Sequence, residues 1–229
     1  MRFCTENDAL RVEQDANGEL IVMSPSGTGT GRTNSELNLQ LALWARETNS
    51  GATFDSNAGF TLPDGSMRSP NAAWIAWPRW NALTKEEQDG FAPIWSEFVI
   101  ELRPPSDSLL ELQAKMRLWV ANGAEVAWLV DPSRKTAEVY RPGREAEVLE
   151  GGRAVEGEGP VAGFVLEGGE SVGIGDGSRE WGLSGNNSII ASPLQSVIWP
   201  NGDGLPLVGD VGKLDRCVYN GTRLNHSIL

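Results

Sequence analysis

Histidine is nearly absent from this chain: His226 stands alone among 229 residues. No His-based metal cluster and no Ser–His–Asp triad can be built on it. Cysteine is almost as scarce. Cys4 and Cys217 lie near opposite ends, a spacing that makes neither a zinc motif nor a dense disulfide framework. One long-range disulfide is the alternative to the simpler expectation, a reducing cytoplasm. Cations are also short, 19 Lys and Arg against 31 Asp and Glu, for a net charge of -12. That balance argues against strong sequence-independent DNA binding, which needs clustered Lys and Arg. It leaves room for a site where bound divalent cations reverse the local charge. No stretch approaches the ~20 apolar residues of a membrane span. Met1 to Glu6 lacks the apolar run of a signal peptide. The expectation is a soluble cytoplasmic protein with no membrane partner.

What is present is enough for a core, since hydrophobic residues make up 40%. Leu10 to Glu13 and Glu19 to Met23 flank Asn17-Gly18, a hairpin signal. The glycine-rich stretch Ser26 to Gly31 leads into a helix expected at about Asn34 to Glu47. Leu37, Leu41 and Trp44 lie on one side of it and Leu39 and Leu43 on another, so burial by more than one neighbour is expected. Gly59 to Leu62, the turn sequence Pro63-Asp64-Gly65-Ser66 and a return through Asn71 to Trp77 read as a second hairpin. A short helix follows around Trp80 to Gln88. Phe98 to Leu102 is a buried-strand run, stopped by Pro104-Pro105. Ser106 or Asp107 can cap the next helix, over Leu109 to Val120. Glu125 to Val130 and Thr136 to Arg141 read as strands joined by an Asp131-Pro132 turn. This order predicts an α/β or α+β domain, a mixed sheet with helices packed on it. The domain is expected to span 1–172. From there the chain turns rich in Gly, Asn and Ser without sustained period, so 173–229 reads as an irregular C-terminal extension, poorly ordered or separately docked.

Three short pieces carry chemistry. Glu101 ends an apolar strand, where open α/β sheets tend to place functional groups; a solvated strand-end glutamate is the plainer reading. On a helical wheel from Leu109, at roughly 100° per residue, Leu112, Met116, Trp119 and Val120 fall within about 80° and make the buried face. Lys115 lies at the edge of that stripe and can reach toward the strand end. Its alternative is a lysine whose stem covers apolar surface. Asn71 follows Ser69-Pro70 and enters the strand Ala72 to Trp77; its alternative is a turn asparagine.

The order and spacing of these pieces resemble the Uma-type family of restriction endonucleases, within the PD-(D/E)xK nuclease superfamily. The resemblance covers about 2–172. It runs through Leu62-Pro63-Asp64-Gly65, Ser69-Pro70, Phe98 to Leu102, Pro105-Ser106, Lys115 and Ala127 to Pro132. It implies a restriction-endonuclease-like mixed central sheet flanked by helices, and hydrolysis of DNA phosphodiester bonds. It implies magnesium or manganese held by the residue at position 71, by Glu101 and by the Leu102 carbonyl. Lys115 would position or activate the attacking water, and Glu36 on the first long helix would be an auxiliary acid. Magnesium prefers oxygen ligands in an octahedral shell and lowers the pKa of a bound water; an ammonium beside it stabilises developing charge.

Two departures from the resemblance are Asn71 and, less marked, Pro104-Pro105, where the family commonly has Ser before the second proline. Asn71 stands where the resemblance implies Asp, and a neutral amide binds magnesium more weakly than a carboxylate. Arg103 occupies the usual strand-lysine position, and a guanidinium can hold phosphate but not act as a base. An endonuclease impaired at Asn71 is the leading reading; a non-catalytic module for nucleic-acid or protein binding is the alternative, and a purely structural domain a third. A homodimer would let such a nuclease cut both strands, but no interface is legible. Gly27 to Thr33 lacks the lysine of a phosphate loop and reads as a flexible turn. Trp74, Trp119 and Trp128 sit in periodic segments and read as packing rather than base-stacking residues.

Overall fold

The computed structural model describes residues 11–23, 26–151, 154–168, 172, 217–219 and 222–223. Strands β1 (Arg11–Gln14) and β2 (Leu20–Met23) form the first hairpin around Asn17-Gly18, where Gly18 takes a left-handed φ of 83°. Helix α1 (Thr28–Thr48) follows. Next come β3 (Gly51–Asp55), β4 (Phe60–Thr61), β5 (Met67–Arg68) and β6 (Ala72–Ala76). Two short helices, α2 (Trp77–Trp80) and α3 (Lys85–Asp89), precede β7 (Phe98–Leu102) and helix α4 (Leu109–Ala121). Strands β8 (Val126–Asp131), β9 (Thr136–Tyr140), β10 (Glu147–Glu150), β11 (Ala154–Glu156) and β12 (Val165–Glu167) complete the domain. The last described pieces are β13 (Cys217–Tyr219) and β14 (Thr222–Arg223).

Two larger sheets result, in the orders β14-β13-β2-β1-β5-β4 and β10-β9-β8-β7-β6-β3. In the second, β7 and β8 run parallel and are joined by α4, as a parallel pair requires a crossover. β7 alternates cleanly. Phe98, Ile100 and Leu102 enter the core under α1, with Leu37, Leu41 and Trp128. Val99 enters the core under α4, with Met116, Trp119 and Leu129. Because side chains alternate along a strand, Glu101 shares the α4 face with Val99.

The chain crosses from one sheet to the other at Ser69-Pro70-Asn71. β5 pairs with β1 in the first sheet, and β6 pairs with β3 and β7 in the second. The return through Asn71 therefore does not close the second hairpin. That hairpin is only β4 with β5, and β6 belongs elsewhere. β3, β10, β11 and β12 are additions to the expected order.

Four local expectations are corrected. α1 begins at Thr28 rather than near Asn34, so Gly29 and Gly31 lie inside a helix and Gly27 to Thr33 is not a flexible turn. Leu39 and Leu43 are 52% and 54% exposed, so only the Leu37–Leu41 side of α1 is buried. The helix expected over Trp80 to Gln88 is two short ones, the second with a Thr84–Glu87 capping box. Ser108, not Ser106 or Asp107, caps α4 by accepting from the Glu111 N–H.

Trp74, Trp119 and Trp128 are buried, and Trp128 packs edge-on against Phe98 at 4.8 Å. Apart from β13 and β14, the proposed extension and Cys4 lie outside the described residues. No described helix is long and apolar enough to cross a membrane.

Candidate functional site

Glu101 is the second-to-last residue of β7 and pairs in register with Leu129 of β8. It is 3% exposed, so it is not a rim residue in solvent. Strand alternation turns it toward α4, where Trp119 donates its indole Nε1–H to Glu101 Oε1 at 2.9 Å. Lys115, one helical turn earlier, brings its Nζ to 2.9 Å from the same oxygen.

The Lys115 ammonium has two further acceptors. Glu13 Oε1 lies 2.7 Å away and the Ser69 carbonyl 3.0 Å. Two of the three ammonium N–H groups donate to these oxygens, and Glu101 faces the ammonium as an ion pair. Glu13 comes from β1 in the other sheet and is 2% exposed. Its Oε1 also accepts the Ser69 N–H at 3.1 Å, and its Oε2 accepts from Arg68 Nη1 at 3.0 Å.

Electrostatics follow from this geometry. Burial pushes the Glu13 carboxyl up, but Lys115 and Arg68 outweigh it and hold the group below its ordinary value. Burial pushes the Glu101 carboxyl up, against the pull of Lys115; the Glu13 charge adds to the rise, and the net shift is upward. For Lys115, burial favours the neutral amine, but Glu101 and Glu13 overcome it and raise the ammonium above its ordinary value. Lys115 is thus a held cation rather than a free base.

Asn71 is placed differently. Its Oδ1 accepts the Leu102 N–H at 2.9 Å, and its Nδ2 donates to Asn34 Oδ1 on α1 at 3.1 Å. Asn38 Nδ2 donates to the Asn71 carbonyl at 2.9 Å. The structure brings Asn71 to the β7 backbone one residue beyond Glu101, but among the described residues no hydrogen bond joins it to Glu101 or Lys115. Glu36 is turned along its own helix, where its Oε1 accepts from Gln40 at 3.0 Å. Arg103 is committed to Asp131, Nη1 to Oδ2 at 2.8 Å, and its Nε donates to the Asp107 carbonyl.

A divalent cation of the magnesium type needs hard oxygen donors and a net negative environment. Here the charges of Glu13 and Glu101 are cancelled by those of Lys115 and Arg68, and Asn71 adds none. Among the described residues, no group of three or more His, Cys, Asp or Glu could hold a metal. The donor set as it stands does not fit a firmly held divalent cation.

Sequence reasoning missed Glu13, Arg68, Asn34 and the polar use of Trp119. A glutamate inside a hairpin strand carries no signal of a partner 102 residues away. Trp119 was legible as a core residue, but not its N–H.

The mixed sheet, with α1 on one face and α4 on the other, is a nuclease-like α+β fold. The crystal structure of a putative nuclease belonging to DUF820 from Anabaena variabilis ATCC 29413 is similar to it. The two share 22% sequence identity and a TM-score of 0.57 over 68% of this chain and 86% of that one. No curated protein matches the chain. The chain belongs to the Uma2 family, described as a putative restriction endonuclease, whose match spans residues 1–167.

Proposed function

We propose that this chain is a DNA endonuclease that hydrolyses phosphodiester bonds at Glu101, Lys115 and position 71, with activity impaired by the neutral Asn71. The family and the nuclease-like fold support the reaction class. The observation that carries the reading is the Lys115–Glu101 pair at 2.9 Å, one residue from the backbone N–H that Asn71 accepts. A buried ammonium beside a strand-end carboxylate suits the stabilisation of charge on a phosphate oxygen. An active form would need magnesium or manganese, and an Asp at position 71 would give the cluster the net negative charge it lacks.

A second reading, a non-catalytic module that keeps the fold for nucleic-acid or protein binding, is favoured by one specific observation. Glu101 is only 3% exposed, with Lys115 already paired to it and donating to Glu13 and the Ser69 carbonyl.

The test is incubation of supercoiled plasmid DNA with magnesium or manganese and wild type, Asn71→Asp, or Asn71→Asp with Glu101→Ala. Nicking gained by Asn71→Asp and abolished by adding Glu101→Ala supports the endonuclease reading. No nicking by any variant, with no metal binding by calorimetric titration, leaves the non-catalytic module.

A further inference from the structure

We infer that Glu13 is a positioning residue of this site: from the neighbouring sheet, its carboxylate holds Lys115 against Glu101 and fixes the crossing segment that presents Asn71. The inference rests on the nuclease reading for its catalytic consequence, but not for its geometry.

Glu13 uses both oxygens on the site. Oε1 meets Lys115 Nζ at 2.7 Å and the Ser69 N–H at 3.1 Å, while Oε2 meets Arg68 Nη1 at 3.0 Å. The Ser69 carbonyl in turn accepts from Lys115 at 3.0 Å. One carboxylate thus ties together β1, the Ser69-Pro70-Asn71 crossing and α4. Charge-assisted bonds of this kind are short and strong, and the Lys115 and Glu13 side chains are only 15% and 3% exposed. Glu13 does not touch Asn71 or Glu101 through any hydrogen bond among the described residues, so it acts through Lys115 and Ser69.

Without Glu13, Lys115 would keep Glu101 and the Ser69 carbonyl but lose its shortest contact. The side chain could then rotate outward along the α4 surface, since its stem is flexible. Glu101 would lose a fixed cation, and Ser69 would lose the acceptor that anchors it just before Pro70. A role confined to folding would change only the amount of folded protein. A positioning role changes the behaviour of one lysine within folded protein.

The experiment is amine acetylation at fixed pH, read residue by residue by mass spectrometry, with thermal unfolding in parallel. Exposed Lys85 (80% exposed side chain) serves as the internal reference. In wild type, Lys115 should label far more slowly than Lys85. Glu13→Gln, which keeps shape and removes charge, should speed Lys115 labelling about tenfold, the order set by losing one charge-assisted hydrogen bond, without changing Lys85. Wild-type Lys115 labelling as fast as Lys85 overturns the inference with no variant needed. Equally, Lys115 labelling unchanged in folded Glu13→Gln overturns it.

The catalytic consequence is read in the Asn71→Asp background, where adding Glu13→Gln should lower the maximal nicking rate and leave KM unchanged. If no variant nicks DNA but Lys115 labelling still rises in Glu13→Gln, the nuclease reading fails and the positioning of Lys115 by Glu13 stands.

Discussion

Trp119 donates its indole N–H to the Glu101 oxygen that also faces Lys115, each at 2.9 Å. A core tryptophan thereby satisfies a carboxylate that strand alternation has forced into the interior. Burial costs the charged form dearly unless it is paired and hydrogen-bonded, and this site provides one cation and one neutral donor for the purpose. The upward shift of the Glu101 carboxyl shows that the compensation is incomplete.

Trp119→Phe should therefore be more destabilising than its packing loss suggests. Phenylalanine fills most of the same apolar space beside Met116 and Leu129 but offers no donor. Leaving a buried acceptor short of a partner costs about 1–3 kcal/mol. Urea unfolding at neutral pH should show that loss, and pairing the change with Glu101→Gln should show strong non-additivity. Additive effects of the two substitutions would mean the indole N–H contributes nothing to holding Glu101.

The pH dependence separates the two acids. Glu13 has its folded value held below its ordinary 4.5, so the stability it contributes is present above 4.5 and is lost as pH falls through the lower folded value. Glu101 has the opposite sign. Its raised folded value makes ionisation costly above that value, and the cost is relieved as pH falls toward 4.5. Lys115, raised above 10.5, contributes fully below 10.5 and loses its contribution as pH rises through the folded value. The stability difference between wild type and Glu13→Gln should accordingly hold steady near neutrality and shrink below pH 4.5. Urea unfolding at several pH values measures it, and a difference that persists unchanged in strong acid contradicts the assignment.

How much of this was legible in the sequence depends on the range of the interaction. Phe98 to Leu102 and Leu109 to Val120 announce their strand and helix because period and burial agree within each segment. The Glu13–Lys115 contact spans 102 residues and depends on how two sheets meet at Ser69-Pro70-Asn71, which no local pattern encodes. The start of α1 was hidden for a different reason. Gly29 and Gly31 are poor helix formers, yet the helix runs through them from Thr28.

The outer face of α1 offers a direct contrast. Leu39 and Leu43 share a helix with Leu37 and Leu41 but are half exposed, whereas the latter pair is fully buried. Leu39→Gln and Leu43→Gln should each change stability by no more than about 0.5 kcal/mol, the usual scale for surface substitutions. Leu37→Ala or Leu41→Ala should cost about 2–5 kcal/mol. Thermal and urea unfolding of the four variants checks this, and a large loss at Leu39 or Leu43 would show that something covers that face.

Gly51 starts β3 where no side chain fits. A Cβ there would lie 2.3 Å from the Ile75 carbonyl and 2.5 Å from Trp74 Nε1. The first neighbour is backbone within the β3–β6 ladder, where Gly51 pairs with Ala76, so it cannot yield without disturbing the pairing. Gly51→Ala should destabilise by about 1–3 kcal/mol, the scale of overpacking. Stability equal to wild type would show that the β3 end relaxes freely.

Asn71→Asp should change metal response more than it changes the fold. The substitution keeps an oxygen for the Leu102 N–H but removes the donor that Asn71 offers Asn34. The variant without metal should therefore lose about 1 kcal/mol, the scale of one hydrogen bond. The added charge takes the cluster of Glu13, Glu101, Lys115 and Arg68 from neutral to net negative, which favours a divalent cation. A ligand that binds only the folded state stabilises it by RT ln(1 + [L]/Kd), about 1.4 kcal/mol at ten times Kd. Millimolar magnesium or manganese should raise the unfolding temperature of Asn71→Asp, leave wild type unmoved, and lose its effect when Glu101→Gln is added. A shift of equal size in wild type would mean that the amide already holds the cation and that charge at position 71 is not what limits the site. A shift surviving Glu101→Gln would place the cation away from this carboxylate altogether.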